Sequence, residues 1–444
     1  MGRCAVSTQK QKRPFALRAL AAFAGTLAIL FVLLLAAYAL PGERVRQHVY
    51  DSARTIQNEG LYPEYLGFKL FQMDNYTDTL MLFEAASADE LPPLQAMMTN
   101  TAYNVDNFET LADDLAWYIE KDWSTGAQRT DAPALEPFSY ARYWHGYLIW
   151  LRPLLLLMPY TGVRIVQYIV LFALLAVVLV QLRRRCGLRA AVWFAVSQLA
   201  VSVWFVPHQV QYFTCFMIAY AGCAWVLAKP RRSDVLCLGL LVLGTATAFC
   251  DLLVTPIITL GLPLTCWLLE PQQRLRGGVP QCALAVGGSL CWGTGYALCW
   301  AGKWALAGAV TNNNVLADAL HQAEVRTTAD TWHGMELTWR NIFIFLYDTL
   351  NGHYLFWPAL AVLAVLIALF ILSIRSKTAL VRALPLALTT CMTPAWFVLL
   401  RTHSIQHGWF TWRALGLTVF AGLAFLYYAC DLRAARRRLQ KGSI

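Results

Sequence analysis

Within Phe68–Leu82, FKLFQMDNYTDTLML, two carboxylates stand among Met, Phe, Tyr and Leu. Asp74 and Asp78 are four residues apart, so on a helix they share one face. An acid in oily surroundings has a raised pKa, which suits it to take a proton from a hydroxyl. That makes Asp74 a candidate general base and Asp78 its helper. Three further stretches collect cations and polar groups. YARYWHGYLIWLRPLLLLMP, Tyr140–Pro159, carries Arg142, His145 and Arg152 among aromatic rings. FCDLLVTP, Phe249–Pro256, carries Asp251 and Thr255 between two apolar runs. RTHSIQHGWFTWR, Arg401–Arg413, carries Arg401, His403, His407 and Arg413 beside Trp409, Phe410 and Trp412. Lys303, at the start of a second long loop, completes the candidate binding set. Each has a plainer reading: Trp, Tyr and Arg anchor span ends at a membrane interface. His403 and His407 have the spacing of a metal pair, but no third ligand is evident, so no metal and no cofactor is expected.

Acid on one side and Arg with His on the other suit a substrate with a phosphate head and a hydrocarbon tail. Guanidinium groups bind phosphate oxygens two at a time. Polyprenyl-phosphate sugars have this shape. Moving the sugar needs a base for the acceptor hydroxyl and cations for the departing phosphate. Phosphate leaves without a general acid, so one carboxylate suffices, unlike the pair in glycosidases.

The elements that must hold these residues are apolar. The 444-residue chain is 58% hydrophobic and 14% charged, with mean hydropathy +0.47. Soluble domains carry roughly 25% charged residues, so lipid is the expected solvent. Window reading gives about ten spans: Ala19–Leu40, Ile165–Leu182, Ala190–Val206, Val210–Ala228, Val235–Cys250, Leu252–Leu269, Cys282–Ala301, Tyr354–Ile374, Ala383–Leu400 and Ala414–Cys430. The expected fold is all-α and polytopic. The first run is too long for a signal-peptide core and is read as retained.

The net charge of +10 sits in clusters at alternate loops, including Arg183–Arg185, Arg231 and Arg232, Arg274 and Arg276, and Arg375 and Lys377. That is the positive-inside pattern of an even-span protein with both ends in the cytoplasm, not a nucleic-acid surface. The partition is then a tail at 1–18, a span at 19–40, an outer loop at 41–147, a helical core at 148–302, a second outer loop at 303–353, closing spans at 354–430 and a basic tail at 431–444. ETLADDLAWYIEKDW, from Glu109, reads as an amphipathic surface helix. The twelve cysteines show no C-x-x-C and read as small apolar residues. The N-x-T match at Asn75–Thr77 overlaps the candidate base and is taken as chance.

In this layout the chain resembles the GT-C superfamily of membrane glycosyltransferases, which includes protein O-mannosyltransferases. RYWHGYLIWLRPLLLLMPYTGVRIVQYIV looks like the family's helix and loop before the second span, with YWHGY where HPP is frequent. GTATAFCDLLVTPIITLGLPL looks like its hairpin with a polar outer turn. The resemblance implies Asp74 or Asp78 as base and Arg401, His403, His407 and Arg413 on the donor side. It implies transfer, with inversion, from a polyprenyl-phosphate sugar to a glycan, lipid or protein acceptor outside a bacterial cell membrane. Two rivals stand beside it: a glycan polymerase or ligase using diphosphate-linked donors, and a flippase of lipid-linked substrates. Ionisable residues are scarce at mid-span, and that counts against the flippase.

Overall fold

The computed structural model describes residues 14–431 apart from 89, 104–136, 329–330, 333–334, 337, 351 and 353. The expected surface helix from Glu109 lies outside the described residues. The rest is all-α, with two short antiparallel hairpins, Thr101–Tyr103 with Pro137–Ser139 and Thr331–Trp332 with Met335–Glu336.

Among the described residues, seven helices are long and apolar enough to cross a membrane. They are α1 (Phe15–Tyr38), α6 (Tyr160–Cys186), α8 (Val210–Ala228), α9 (Ser233–Cys250), α11 (Gly278–Thr311), α15 (Lys377–Leu399) and the stretch Gly408–Ala429, which contains α17 (Leu415–Ala429). The other three expected spans are represented by shorter apolar helices. Of these, α7 (Leu188–Ala200) stops before Ser202, whose φ of +55° breaks the helix, and Pro207 follows. At about 1.5 Å per residue its 13 residues reach about 20 Å, short of the ~30 Å apolar layer. α10 (Ile257–Leu268) begins only after Pro256, because Asp251–Thr255 is irregular and Leu253 is held at φ +70°. Every residue of α10 is buried. Irregular backbone followed by a half-length helix survives in a membrane protein where other helices enclose it. α14 (Phe356–Ser373) has its apolar run over Phe356–Ala368.

The tightest helix pair is α9 on α11. A Cβ at Gly244 would collide with the Trp292 carbonyl, so only glycine lets the two backbones meet there.

The described part of the first long loop rests on the bundle. In α2 (Glu43–Glu59), Val45, Val49, Ser52, Ala53 and Ile56 are buried, a stripe at helical spacing. α3 (Asn75–Ser87) is buried almost throughout. α4 (Pro93–Thr99) follows, and α5 (Leu148–Leu155) leads into α6. α12 (Val315–Thr328), α13 (Trp339–Thr349) and α16 (Arg401–Gln406) cluster at the same end of the bundle.

Two contacts fasten α2 to α6. The Ser52 hydroxyl accepts the Tyr160 N–H at 2.8 Å. Arg164, one turn into α6, meets Glu59 in a two-pronged ion pair at 2.5 and 2.8 Å, and its Nε donates to the His208 carbonyl at 2.9 Å. Arg164 is 8% exposed. Losing one member of a buried pair strands the other charge. Glu59→Leu is therefore expected to lower unfolding stability in detergent by about 2–4 kcal/mol. Adding Arg164→Leu should recover part of it, and equal melting of the single and double variants would show that the pair does not bear on this joint.

Candidate functional site

Asp74 and Asp78 do not share a helix face. Asp74 precedes α3 and caps it: Oδ1 accepts the Thr77 N–H and Oδ2 the Thr77 hydroxyl, both at 2.9 Å. The Gln209 side chain accepts the Asp74 N–H at 3.1 Å. Asp78, in the first turn of α3, reaches across to another helix. Its Oδ2 accepts the Val210 N–H and its Oδ1 the Gln211 N–H, each at 3.2 Å, and the Tyr160 hydroxyl donates to Oδ2. Val210 and Gln211 open α8, so Asp78 places a carboxyl on the positive end of that helix. Burial pushes Asp78 up to about 7, against the pull of Tyr160 and Arg164. Burial also raises Asp74, while Thr77, Trp409 and Gln211 favour its charged form.

The late segment comes to the same end of the bundle. Arg413 is buried, donating to the Trp409 carbonyl at 2.9 Å and the Leu70 carbonyl at 3.0 Å. Its guanidinium lies 4.7 Å from the Tyr212 ring centre. It thus ties this segment to the loop before α3. The rings of His403 and His407 are 4.7 Å apart. His403 Nε2 donates to the Leu253 carbonyl at 2.8 Å, which leaves Nδ1 to accept; Nδ1 has no partner. Burial lowers both imidazole pKa values, that of His407 to about 4, so both rings are neutral at pH 7. Among the described residues no group of three or more His, Cys, Asp or Glu side chains is placed to hold a metal ion.

The turn at Asp251 lies beside this segment. Asp251 Oδ2 accepts the Val254 N–H at 3.0 Å. Oδ1 is buried with no hydrogen-bond partner, as is the Thr255 hydroxyl. Burial pushes Asp251 up to about 7, against the Cys215 thiol and nearby backbone N–H groups. Leu253, from the same turn, and Tyr296 of α11 line a cleft of about 130 Å³. Trp300, Trp304 and Trp396 supply aromatic walls, and Arg142 and Arg326 supply charge. The Arg142 Nη1 is 3.3 Å from Asp318, and its guanidinium lies 4.5 Å from the Tyr140 ring centre. Arg326 Nη1 donates to the Gln322 carbonyl at 3.5 Å. Around this cleft the Tyr296 hydroxyl, the Trp300 indole nitrogen, the Thr402 and Ser404 hydroxyls and Arg142 Nε are all buried without partners. Arg401 Nε is in the same position. Buried polar groups ordinarily find partners, so this concentration marks a place where water or a ligand completes the bonding. A side cleft, about 160 Å³, lies across α16 between Gln72, Asn341 and Trp409; Lys69 and Asp348 pair at 3.9 Å on its rim.

Three candidates are placed elsewhere. Arg152 donates to the Tyr38 carbonyl at 3.2 Å and the Leu40 carbonyl at 3.0 Å, a cation on the negative end of α1. Lys303 donates to Met97 O at 2.7 Å, Met98 O at 3.3 Å and Asn100 Oδ1 at 2.6 Å, closing the end of α4. His145 is buried with Nδ1 2.7 Å from Glu84 Oε2 and Nε2 3.0 Å from the Tyr140 carbonyl. The Tyr147 hydroxyl also donates to Glu84. Gly146 follows because a Cβ there would strike Phe249. These residues build the scaffold under the cleft.

Sequence reasoning missed Arg164 and Arg326. Arg164 stands immediately before the expected span Ile165–Leu182 and reads as an ordinary span-end cation; the helix in fact begins at Tyr160 and takes it in. Arg326 carried no signal, since it reads as one more cation on a polar helix.

Comparison of the chain with family models, with curated proteins and with solved structures finds no match.

The Asp78 joint has a pH signature. Its carboxyl titrates at about 7 in the fold against an ordinary 3.8. A raised acid binds more protons folded than unfolded, so its contribution is full below about pH 4 and is lost as pH rises through about 7. Asp78→Asn cannot titrate, and its NH2 cannot accept a hydrogen bond where the hydroxyl oxygen of the protonated carboxyl still can. It should cost about 1 kcal/mol at acid pH, as for a lost cap. The deficit should shrink toward pH 7 in thermal melts, and a pH-independent deficit would refute the assignment.

Proposed function

We propose that this chain is a membrane glycosyltransferase that moves a sugar from a polyprenyl-phosphate donor to a glycan, lipid or protein acceptor. The observation that carries the reading is Asp251. Of the three candidate acids it is the least engaged: Oδ1 makes no hydrogen bond, Oδ2 takes the Val254 N–H, the Cys215 thiol lies near, and, two residues on, Leu253 lines a cleft with aromatic walls and two guanidinium groups. Asp74 and Asp78 each have both oxygens engaged and hold the early segment in place. The base is therefore assigned to Asp251 in preference to either.

In the proposed step Asp251 takes the proton from the acceptor hydroxyl. The acceptor oxygen bonds to the sugar's anomeric carbon as the bond from that carbon to the phosphate oxygen breaks. The electron pair leaves on the phosphate, which Arg142 and Arg326 neutralise. Attack opposite the leaving group inverts the anomeric centre. The neutral His403 and His407, each with an open Nδ1, offer acceptors for sugar hydroxyls. Leu306, Leu320 and Leu399 are exposed beside cleft-lining residues and offer an apolar path for the donor's tail. The proposed setting is a bacterial cell membrane, with this end of the bundle outside and both chain ends in the cytoplasm, a reading that the alternation of the basic loops supports.

Purified full-length protein incubated with polyprenyl-phosphate sugars and an acceptor panel tests this directly. Asp251→Asn should cut transfer by roughly a hundredfold or more while leaving donor binding intact. In the parent, the rate should climb with pH and level off above about 7, since the base must be ionised. Arg326→Gln should weaken donor binding about tenfold. Transfer at the parent rate by Asp251→Asn sinks the assignment of the base. Passage of lipid-linked sugar across vesicles with no covalent product would favour a flippase.

The orientation is tested separately. A cysteine at Ser233, before α9, should resist a membrane-impermeant thiol reagent added to intact cells. Labelling from outside would invert the layout.

A further inference from the structure

A second polar cleft opens at the opposite end of the same helices. Trp304 and Trp396 mark the first cleft on α11 and α15. Gln281 and Arg382 mark the second, at the other ends of these two helices. From Gln281 to Trp304 the rise along α11 is about 35 Å, so the two clefts lie about a membrane apart. The second cleft encloses about 320 Å³, within the roughly 300–1,000 Å³ of small-molecule sites.

Its lining is cationic. Arg274, Arg375 and Arg382 face it, and none of the described residues that line it is acidic. Glu270, the acid just before Arg274, is held by Arg185 at 2.8 Å. Arg274 Nη1 donates to the Tyr428 hydroxyl at 2.5 Å, and its Nε is buried with no partner. Two helices begin here, α11 at Gly278 with no side-chain cap and α15 at Lys377 with Ser376 taking the Ala379 N–H, so their N-terminal ends add to the positive field. Gln281 supplies an independent observation. It is 5% exposed, and its Nε2 donates to both Gln273 O and Gln273 Oε1 at 3.2 Å. Those two acceptors settle which way the amide points. Its Oε1 is left buried and without a donor in a cleft otherwise rich in donors.

We infer that this cleft binds a phosphate group with a neighbouring hydroxyl: the arginines and helix ends take the phosphate oxygens, and Gln281 Oε1 accepts the hydroxyl. A glycerol phosphate unit has this chemistry, and it occurs both as a free solute and as the headgroup of phosphatidylglycerol. The inference stands apart from the transfer reaction, since it uses no residue of the first cleft.

Full-length protein in phosphatidylcholine nanodiscs, titrated with glycerol 3-phosphate, tests the free source by calorimetry. Native mass spectrometry after exposure to phosphatidylglycerol and phosphatidylcholine together tests the lipid source. Saturable binding in the first arm identifies the solute, and selective retention of phosphatidylglycerol in the second identifies the headgroup. In whichever arm is positive, Arg274→Gln and Arg382→Gln should each weaken binding about tenfold, as loss of a charged hydrogen-bond donor does. Arg382 is exposed, so its variant tests the cleft without threatening the fold. Gln281→Met should erase any preference for glycerol 3-phosphate over inorganic phosphate. Failure of both arms, or binding that both arginine variants leave unchanged, overturns the inference.

Discussion

The carboxyl of Asp78 joins two parts of the protein that would otherwise be independent. It belongs to the loop after the first span, yet its oxygens take the opening N–H groups of α8, and Tyr160 at the head of α6 closes on it. Backbone N–H groups at a buried helix start need acceptors, and the Asp78 carboxyl supplies them. The loop is therefore part of the bundle's bonding. Glu59 with Arg164, and Gln209 with Asn75 and Asp74, repeat the pattern around it. Once α3 is seated, the segment before it is seated too, and Arg413 meets the Leu70 carbonyl from the far end of the chain.

α10 is enclosed by α8, α9, α11, α15 and α17. A twelve-residue helix cannot cross the membrane, and the irregular turn before it has backbone groups to satisfy. Surrounding helices and His403 meet part of that need, the imidazole taking the Leu253 carbonyl. What they leave open is the chemically useful part: one oxygen of Asp251, the hydroxyl of Thr255 and the outward nitrogens of two neutral imidazoles. Burial raises the acid and lowers the imidazoles, so all three shifts favour uncharged forms. The cationic groups at the cleft are the guanidiniums of Arg142 and Arg326. A polar pocket with fixed cations and a titratable acid matches phosphate departure coupled to hydroxyl deprotonation.

Much of the architecture was legible because lipid is a demanding solvent. Seven long apolar helices stand where hydropathy placed spans, and the late cluster and the Asp251 turn fall at one end of the bundle, as the loop reading implied. The windows over Ala190–Val206 and Leu252–Leu269 hold helices shorter than a span because an average over apolar residues does not register Ser202 or Leu253 in the left-handed region. Arg152 and Lys303 looked like substrate ligands because a cation near a span end gives no sign of whether its partner is a phosphate or a carbonyl. In the fold both meet carbonyls at helix ends.

By itself the sequence determined that the chain is helical, that it holds helices apolar enough to cross a membrane, and which residues could carry charge near their ends. These follow from composition and from periodicities that act within one or two helical turns. Only the tertiary structure decided which acid is free. Asp74, Asp78 and Asp251 are alike as residues, each an acid beside apolar neighbours. They differ because the donors at Val210 and Gln211 lie more than a hundred residues from Asp78 and still reach it. Asp74 takes its two closest donors from Thr77, three residues away, with Trp409 and Gln211 reaching it from other segments, and Asp251 Oδ1 makes no hydrogen bond. Hydrogen-bond satisfaction in a buried site is a sum over every segment that packs there, and no stretch of sequence contains all the terms.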